Sequence, residues 1–311
     1  MLQMPSTELL LHELVAEAGL PEVTSYEDLH GHGFDHQIVH ATLADSREVV
    51  LRSRKKSWPL PLGRARFLTE HDLPAPALLG GNEFATLYEY VPGEMLYNLV
   101  AEDRMTDAYW RSVGAAFRRV HAVRFPSGLS GPFDAGRLVL EAIDPVQDLH
   151  ERIAAAIPRL EVNLPFVLPH LPRLHAIIDA YADSSRPAPT ALLHGDVFPT
   201  NIIVGPDRTT LIDWDFPRVA DPAQEVSALD EWMYLAGGRC LADAFFDAYG
   251  PRPPNTGLYR ITGAIGWFGR GVFNGWEIDF TLDEARTEQV TGWRNSLVAY
   301  LTDLGDRLDE L

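Results

Sequence analysis

Three polar side chains between residues 191 and 226 have the chemical types and the spacing that metal-assisted transfer of a phosphoryl group requires. Asp196 follows a short apolar stretch, and Asn201 comes five residues later across a loop that contains Pro199. Asp213 stands at the end of the next pair of apolar stretches. This spacing lets the three side chains converge on one side of a tight loop.

The three side chains suit different parts of such a reaction. Mg²⁺ prefers hard oxygen ligands, so one carboxylate, one amide oxygen and the phosphates of a nucleotide are enough to hold it. Asn201 and Asp213 are therefore the candidate metal ligands, and Mg²⁺ is the expected cofactor. A separate carboxylate must accept or orient the proton of the attacking hydroxyl, and Asp196 is the candidate catalytic residue. Two roles are compatible with Asp215: a second metal ligand or a polar residue of the loop.

The elements that must position these residues begin with a strand-rich N-terminal part. An amphipathic pattern over 6–18 predicts a helix that Ser6 can cap. A short helix is expected over 64–71. The boundary between two lobes is expected at Pro92-Gly93. Alternating, β-branched segments predict antiparallel strands at 27–34, 38–43, 49–52 and 84–91.

The remaining two thirds of the chain reads as mostly helical. Thr106 can cap a long helix whose apolar face is formed by Trp110, Val113, Phe117 and Val120. Two short strands, 201–204 and 210–213, are expected around a turn at 205–207. The sequence thus predicts an α+β fold with a small N-terminal antiparallel sheet lobe, 1–91, that binds nucleotide. A larger helical C-terminal lobe, 92–311, would carry the catalytic loop and an acceptor-binding part.

Composition and charge restrict the partners. The 311 residues include 44 acidic and 26 basic side chains, a formal charge of −18. Such a charge repels nucleic acids and anionic membrane surfaces and favours a cationic ligand. No apolar run approaches the ~18 residues that a membrane span needs. With a single cysteine, Cys240, and no leader pattern, we expect a cytoplasmic protein.

The motifs HGDVFPTN, LIDWD and ADPAQEV, which span 194–226 in this order, resemble the catalytic signature of the aminoglycoside phosphotransferase family, relatives of protein kinases. The resemblance implies a protein-kinase-like two-lobed fold and ATP or GTP as phosphoryl donor. It places the catalytic aspartate at Asp196 and the metal ligands at Asn201 and Asp213. It also implies that His194 supports the loop and that Asp221 fixes backbone further along.

The N-terminal third carries a second resemblance, because the stretch from Gly33 to Lys56 is similar to the start of macrolide phosphotransferases, which favour GTP. Arg52 takes the third-strand position usually held by lysine, as in the macrolide-modifying members of the family. The resemblance to kinases further implies a phosphate-covering turn in GHGF and a purine-binding hinge in LYEYVPGE. The implied nucleotide-binding residues are Gly31, Gly33, Phe34, Arg52, Glu89, Tyr90 and Val91.

One departure from the family pattern concerns the partner of Arg52. The helix before LPAP normally carries a glutamate that pairs with the third-strand cation, but residues 59–63 are PLPLG. Glu70 is the remaining acid of that helix, at its far end. We therefore expect that this ion pair is absent.

The acceptor is expected to bind in the helical C-terminal part, where acids flank aromatic residues. Candidate acceptor contacts are Asp230, Glu231, Trp232 and Trp276. Carboxylates with aromatic walls suit a polycationic antibiotic, such as an aminoglycoside or a basic cyclic peptide of the capreomycin or viomycin type, which would make the chain a resistance enzyme. The alternatives are a macrolide, an ordinary metabolite such as choline, homoserine or fructosamine, and a nucleotide-binding pseudokinase without catalysis.

Overall fold

A computed structural model describes residues 5–29, 36–54, 62–135, 137–185, 189–269 and 284–311. Four of the predicted site residues, Gly31, Gly33, Phe34 and Trp276, lie outside these described residues. The described chain forms a small lobe built on an antiparallel sheet and a larger, mainly helical lobe, as predicted. None of the described helices is long and apolar enough to cross a bilayer.

The N-terminal lobe is a five-stranded antiparallel sheet with helix α1 packed on one face. The strands have the order β1-β2-β3-β5-β4. Ser6 caps α1 by accepting a hydrogen bond from the N–H of Leu9, as expected. Leucines of α1 and alternate residues of the strands form the core of this lobe. The elements are α1 (Thr7–Glu17), β1 (Val23–Asp28), β2 (His36–Leu43), β3 (Glu48–Arg54), α2 (Leu62–Glu70), β4 (Leu78–Gly81) and β5 (Ala85–Glu89).

Helices dominate the C-terminal lobe. Thr106 caps the long helix α4, whose predicted apolar face is confirmed by the burial of Val113, Phe117 and Val120. The helices are α3 (Leu96–Ala101), α4 (Asp107–His121), α5 (Pro145–Asn163), α6 (Leu171–Ser185), α7 (Pro222–Gly237), α8 (Asp243–Tyr249), α9 (Thr256–Gly269), α10 (Glu284–Thr302) and α11 (Leu304–Asp309).

Two small antiparallel sheets hold the region between α3 and α7. The predicted hairpin pairs with a strand that begins just after the lobe boundary, in the order β12-β11-β6. A five-stranded sheet, β7-β10-β13-β8-β9, was missed from the sequence. Its strands are only two to four residues long, too short to show an alternating pattern. The strands are β6 (Glu94–Met95), β7 (Arg124–Phe125), β8 (Leu129–Pro132), β9 (Glu141–Ala142), β10 (Thr190–Leu193), β11 (Ile202–Val204), β12 (Thr209–Leu211) and β13 (Arg218–Ala220).

The core of the C-terminal lobe falls into two clusters with different tasks. One cluster joins α5, α6, α9, α10 and α11. The other packs α3, α4 and α7 against β10, β11 and β12. Because the polar residues of interest directly follow β10 and β12, this second cluster is the support of the candidate site.

Candidate active site

The loop after β10 turns sharply at Gly195. All four residues of β10 are buried, and the chain leaves the strand through His194. Gly195 has φ +83°, and a Cβ on it would lie 1.9 Å from the carbonyl oxygen of Phe216. Only glycine fits this position, because an L side chain would meet both backbone strain and a steric clash. The turn directs Asp196 out of the core.

A buried carboxylate that the sequence analysis did not single out holds this turn from below. Glu225, near the start of α7, accepts the backbone N–H of His194 at 3.1 Å and that of Gly195 at 2.8 Å. Its Oε2 also lies 2.9 Å from Nε2 of His121. Burial alone would raise the pKa of Glu225, but His121 and the loop N–H groups outweigh it and lower the pKa below its ordinary value.

His194 supports the loop, as the family resemblance implied. Its Nε2 lies 2.9 Å from the carbonyl oxygen of Ile212, and its Nδ1 accepts the N–H of Asp196 at 3.2 Å. These two contacts define a neutral ring that donates from Nε2. Burial lowers the pKa of His194, which keeps the ring neutral. The side chain therefore links the catalytic loop to the segment that follows β12.

Asp196 and Asn201 are brought together by the loop. Nδ2 of Asn201 donates to the carbonyl oxygen and to Oδ2 of Asp196, both at 3.1 Å. The N–H of Ile212 in turn donates to the backbone oxygen of Asn201 at 2.8 Å. Burial raises the pKa of Asp196, although His194 and Asn201 act in the opposite direction. The side chains predicted to be base and metal ligand are thus neighbours.

Asp213 joins the same constellation from the end of β12. Its backbone is in the left-handed region at φ +62°, where a non-glycine residue is uncommon. Burial raises the pKa of its carboxyl to about 6; Arg52 opposes the shift, and the nearby Asp215 and Asp196 add to it. The repulsion among these acids is the electrostatic signature of a site that favours a cation.

Arg52 pairs with acids of the C-terminal lobe instead of with a glutamate of α2. Its guanidinium contacts both oxygens of Asp215, at 3.0 and 2.6 Å, and Oδ1 of Asp213 at 2.8 Å. Nδ1 of His36 lies 3.0 Å from the same group. Glu70 stands at the exposed end of α2, in a groove beside β4. The acid that replaces the missing helix glutamate comes from the C-terminal lobe.

The donor set fits a divalent cation. Asn201 and Asp213 offer one amide oxygen and one carboxylate, which are hard ligands of the kind Mg²⁺ prefers. Within the described ranges, no three His, Cys, Asp or Glu side chains converge as a self-contained metal site. Phosphate oxygens of a nucleotide would have to complete the coordination, as expected for a metal that arrives with its nucleotide.

The predicted hinge follows strand β5, which lies between β3 and β4 in the sheet. The backbone N–H of Glu89 donates to the oxygen of Ala77 at 3.0 Å, and that of Tyr90 donates to the oxygen of Glu48 at 3.1 Å. The side chain of Glu89 pairs with Arg208 of the other lobe. Val91 follows directly, and its backbone stays our prediction for contact with a purine.

Two of the acids predicted to contact the acceptor are committed to the interior. Asp230 accepts the N–H of Leu241 at 2.7 Å and contacts Arg252 and Arg260. Burial raises the pKa of Glu231 to about 8, against the opposing charge of Arg260, and its Oε1 has no hydrogen-bond partner among the described residues. Both side chains are about 95% buried. We correct the assignment of Asp230, whose oxygens bind the protein itself.

Trp232 is different, because it lies in a half-buried group of rings beside the catalytic loop. Its ring centroid is 4.4 Å from that of Phe198, two residues after Asp196, and 5.1 Å from those of Trp267 and Trp293. We call these four residues the aromatic cluster. Sequence reasoning named Trp232 and missed Phe198 and Trp293, since nothing in the spacing joins them.

Comparison with known proteins finds one family model and a set of solved structures that match the chain. The model of the phosphotransferase enzyme family matches residues 28–260. No curated protein sequence matches. The matched segment contains the described parts of the site, from Arg52 to Glu225.

Solved structures of similar fold cover nearly the whole chain. A choline/ethanolamine kinase family protein from Mesorhizobium loti is 18% identical over 96% of this chain and 94% of its own, with a TM-score of 0.62. A thermostable mutant of an aminoglycoside phosphotransferase, in complex with ADP and hygromycin B, is 14% identical over 96% and 98%, with 0.61. A macrolide 2'-phosphotransferase type I is 20% identical over 95% and 99%, with 0.58. At these identities, the similarity shows the fold alone.

Proposed function

We propose, from the premise that this chain belongs to the phosphotransferase enzyme family, that it transfers the γ-phosphoryl group of ATP or GTP to a hydroxyl of a small antibiotic. The observation that carries this proposal is the convergence of Asp196, Asn201 and Asp213 beside Arg52 at the junction of the two lobes. In the proposed division of labour, residues 1–91 bind the nucleotide. Residues 92–311 supply the catalytic loop and hold the acceptor.

Each side chain has one task in the proposed reaction. Asp196 orients the acceptor hydroxyl and accepts its proton as the oxygen bonds to the γ-phosphorus. The bond from that phosphorus to the β–γ bridging oxygen breaks at the same time, and ADP or GDP leaves. Burial raises the pKa of Asp196, which makes it a better proton acceptor than an exposed aspartate. Its position depends on Asn201 and on the loop held by Glu225, so the base is fixed before substrate arrives.

The metal and the nucleotide phosphates are assigned to Asn201, Asp213 and Arg52. Asn201 and Asp213 would hold Mg²⁺, which neutralises charge on the phosphates when it is bound. Arg52 lies against Asp213 and is placed to contact the same phosphates. The hinge after β5 would bind the purine ring of the nucleotide through backbone atoms, which suits either adenine or guanine.

The surroundings of the loop rank the possible acceptors. The net charge of −18 favours a polycation, but Asp230 and Glu231, the acids beside Trp232, are buried and do not offer charged surface. The aromatic cluster next to Asp196 favours an acceptor with an apolar face and few amines. A macrolide-like antibiotic is therefore the second candidate that a specific observation supports, ahead of choline, homoserine or fructosamine.

A pseudokinase would bind nucleotide without transferring phosphate. It typically lacks the base or a metal ligand, whereas this chain has all three candidate residues and brings them together. This arrangement favours the enzyme.

A screen by mass spectrometry tests the proposal. Aminoglycosides, basic cyclic peptides, macrolides and simple metabolites are incubated with the protein, Mg²⁺ and either ATP or GTP. The expected result is a mass gain of one phosphate on a member of the panel, abolished by EDTA and by Asp196→Ala. Nucleotide binding with no phosphorylated acceptor in any class would favour the pseudokinase instead.

A further inference from the structure

Helix α2 presents an arginine, rather than an acid, towards the junction of the lobes. Arg64 lies on the first turn of α2 and is half-buried, whereas Arg66, two residues later, is exposed and lines the groove beside β4. The two side chains therefore occupy different faces of one helix. Nε of Arg64 is fully buried and makes no hydrogen bond within the described residues.

The groups around Arg64 belong to the proposed nucleotide cleft. The carboxylates that act on it are those of Asp215 and Asp134, and Arg52 adds a like charge. Burial is the largest influence and lowers the pKa of Arg64. Among the described residues, Arg64 forms no ion pair with a carboxylate, although it stays charged at any physiological pH.

The guanidinium of the neighbouring Arg52, unlike that of Arg64, has hydrogen-bond partners within the protein. Its nitrogens contact Asp215, Asp213 and His36 at 2.6 to 3.0 Å. Most of its donors are therefore used inside the protein. Arg64 has five donors in the same planar fork and a buried Nε without an acceptor. A buried donor without an acceptor is costly, so a ligand that supplies oxygens is expected here.

We propose that Arg64 is a second phosphate-binding cation, which contacts the triphosphate of the nucleotide beside Arg52. The inference rests on the proposed function, since it requires nucleotide between the lobes. A polyphosphate is the ligand that fits, because a guanidinium fork matches phosphate oxygens and because Asn201 and Asp213 face the same ligand through a metal. Asp215 would then keep Arg52 in place, while Arg64 supplies the uncommitted positive charge.

The test is direct binding of nucleotides by calorimetry, without acceptor, to the wild type, Arg64→Gln, Arg64→Lys and the matched control Arg66→Gln. Arg64→Gln is expected to weaken ATP and GTP at least about tenfold, the loss of a charge-assisted contact. ADP should weaken less, and adenosine or guanosine by less than about twofold. Arg64→Lys should fall between, because lysine keeps the charge but not the fork.

The control removes the same charge from the other face of the helix. Arg66→Gln should bind all the nucleotides as the wild type does, and thermal unfolding shows that each variant is folded. Unchanged triphosphate affinity in Arg64→Gln, or an equal loss for nucleoside and triphosphate, overturns the inference and leaves the phosphotransferase proposal standing. A wild type that binds neither ATP nor GTP overturns both.

Discussion

The catalytic loop and the nucleotide cleft are neighbours, but they are held in opposite ways. Glu225, His121 and His194 fix the loop entirely within the C-terminal lobe, and all three are buried. The cleft is held across the lobes instead, because Arg52 of β3 pairs with Asp213 and Asp215 beyond β12. The first network lies within one lobe and is buried. The second joins the two lobes and is partly exposed to solvent.

The catalytic loop is therefore preorganised, whereas the nucleotide cleft is assembled only when the two lobes come together. A loop fixed by buried hydrogen bonds keeps its geometry whether or not a ligand is present. A pair that joins two lobes holds only while the lobes stay close, and its arginine is also a candidate phosphate ligand. We therefore expect the base to be in place at all times and the phosphate-binding charges to depend on the position of the lobes.

Removal of the buried acid Glu225 should have the greatest effect on stability. Glu225→Ala should lower the free energy of unfolding by about 3–5 kcal/mol, because it leaves buried donors of His121, His194 and Gly195 without an acceptor. Denaturant titration measures the loss. Glu225→Gln should lose less, since one oxygen remains as an acceptor.

An exposed glutamate on α5 provides the control for that experiment. Glu161→Ala removes the same side chain from the surface and should change the free energy of unfolding by less than about 0.5 kcal/mol. Unfolding curves of Glu225→Ala and the wild type that coincide would show that the loop is not held from below.

The second experiment measures the pair that joins the lobes. A double-mutant cycle of Arg52→Ala and Asp215→Ala should give a coupling of about 1–2 kcal/mol in the free energy of unfolding. The side chains are 14% and 24% exposed, so solvent screens the pair only in part. Arg239 and Asp103, at 2.8 Å but each 74% exposed, are the matched pair and should show no measurable coupling. Additive effects at Arg52 and Asp215 would contradict the cross-lobe account.

The smallest expected effect concerns Glu231 and is a dependence on pH. Its pKa is raised from 4.5 to about 8 by burial, with Arg260 opposing the shift. Between these values the folded state holds a proton that the unfolded chain has released, so this residue makes the fold less stable as pH rises. Glu231→Gln should therefore gain stability relative to the wild type as the pH rises from 5 to 8.

Thermal unfolding of both proteins across that range checks the prediction. Glu288→Gln, an exposed substitution on α10, serves as the control and should follow the wild type at every pH. A stability difference between Glu231→Gln and the wild type that does not change with pH would show that Glu231 is ionised in the folded protein.

The catalytic loop could be predicted from the sequence, whereas the long-range contacts that hold the loop and the cleft could not. The catalytic loop was predictable because its residues are close in sequence, and the spacing of Asp196 and Asn201 is itself the geometry. Glu225 was not, since it meets the loop from a helix thirty residues later, and only its place in ADPAQEV marks it. The pairing of Arg52 with Asp215 joins residues 163 positions apart, which no local pattern reveals.

The acceptor side shows why composition misled. A charge of −18 says how many acids the chain has and not where they point, and Asp230 turned inward to two arginines. The short strands β7, β8, β9 and β13 were missed for a related reason, because pairing between distant segments defines them. The α+β fold itself was predictable from long amphipathic helices and alternating strands.

The role of Asp196 as the base is tested by the turnover of Asp196→Asn on an acceptor that the wild type phosphorylates, with nucleotide affinity and thermal stability measured in parallel. We predict that kcat falls by about 10²–10⁴-fold, the contribution of a positioned base. Nucleotide binding and the fold should be retained. A variant that keeps most of the wild-type kcat would contradict the assignment of Asp196 as the base on which the mechanism depends.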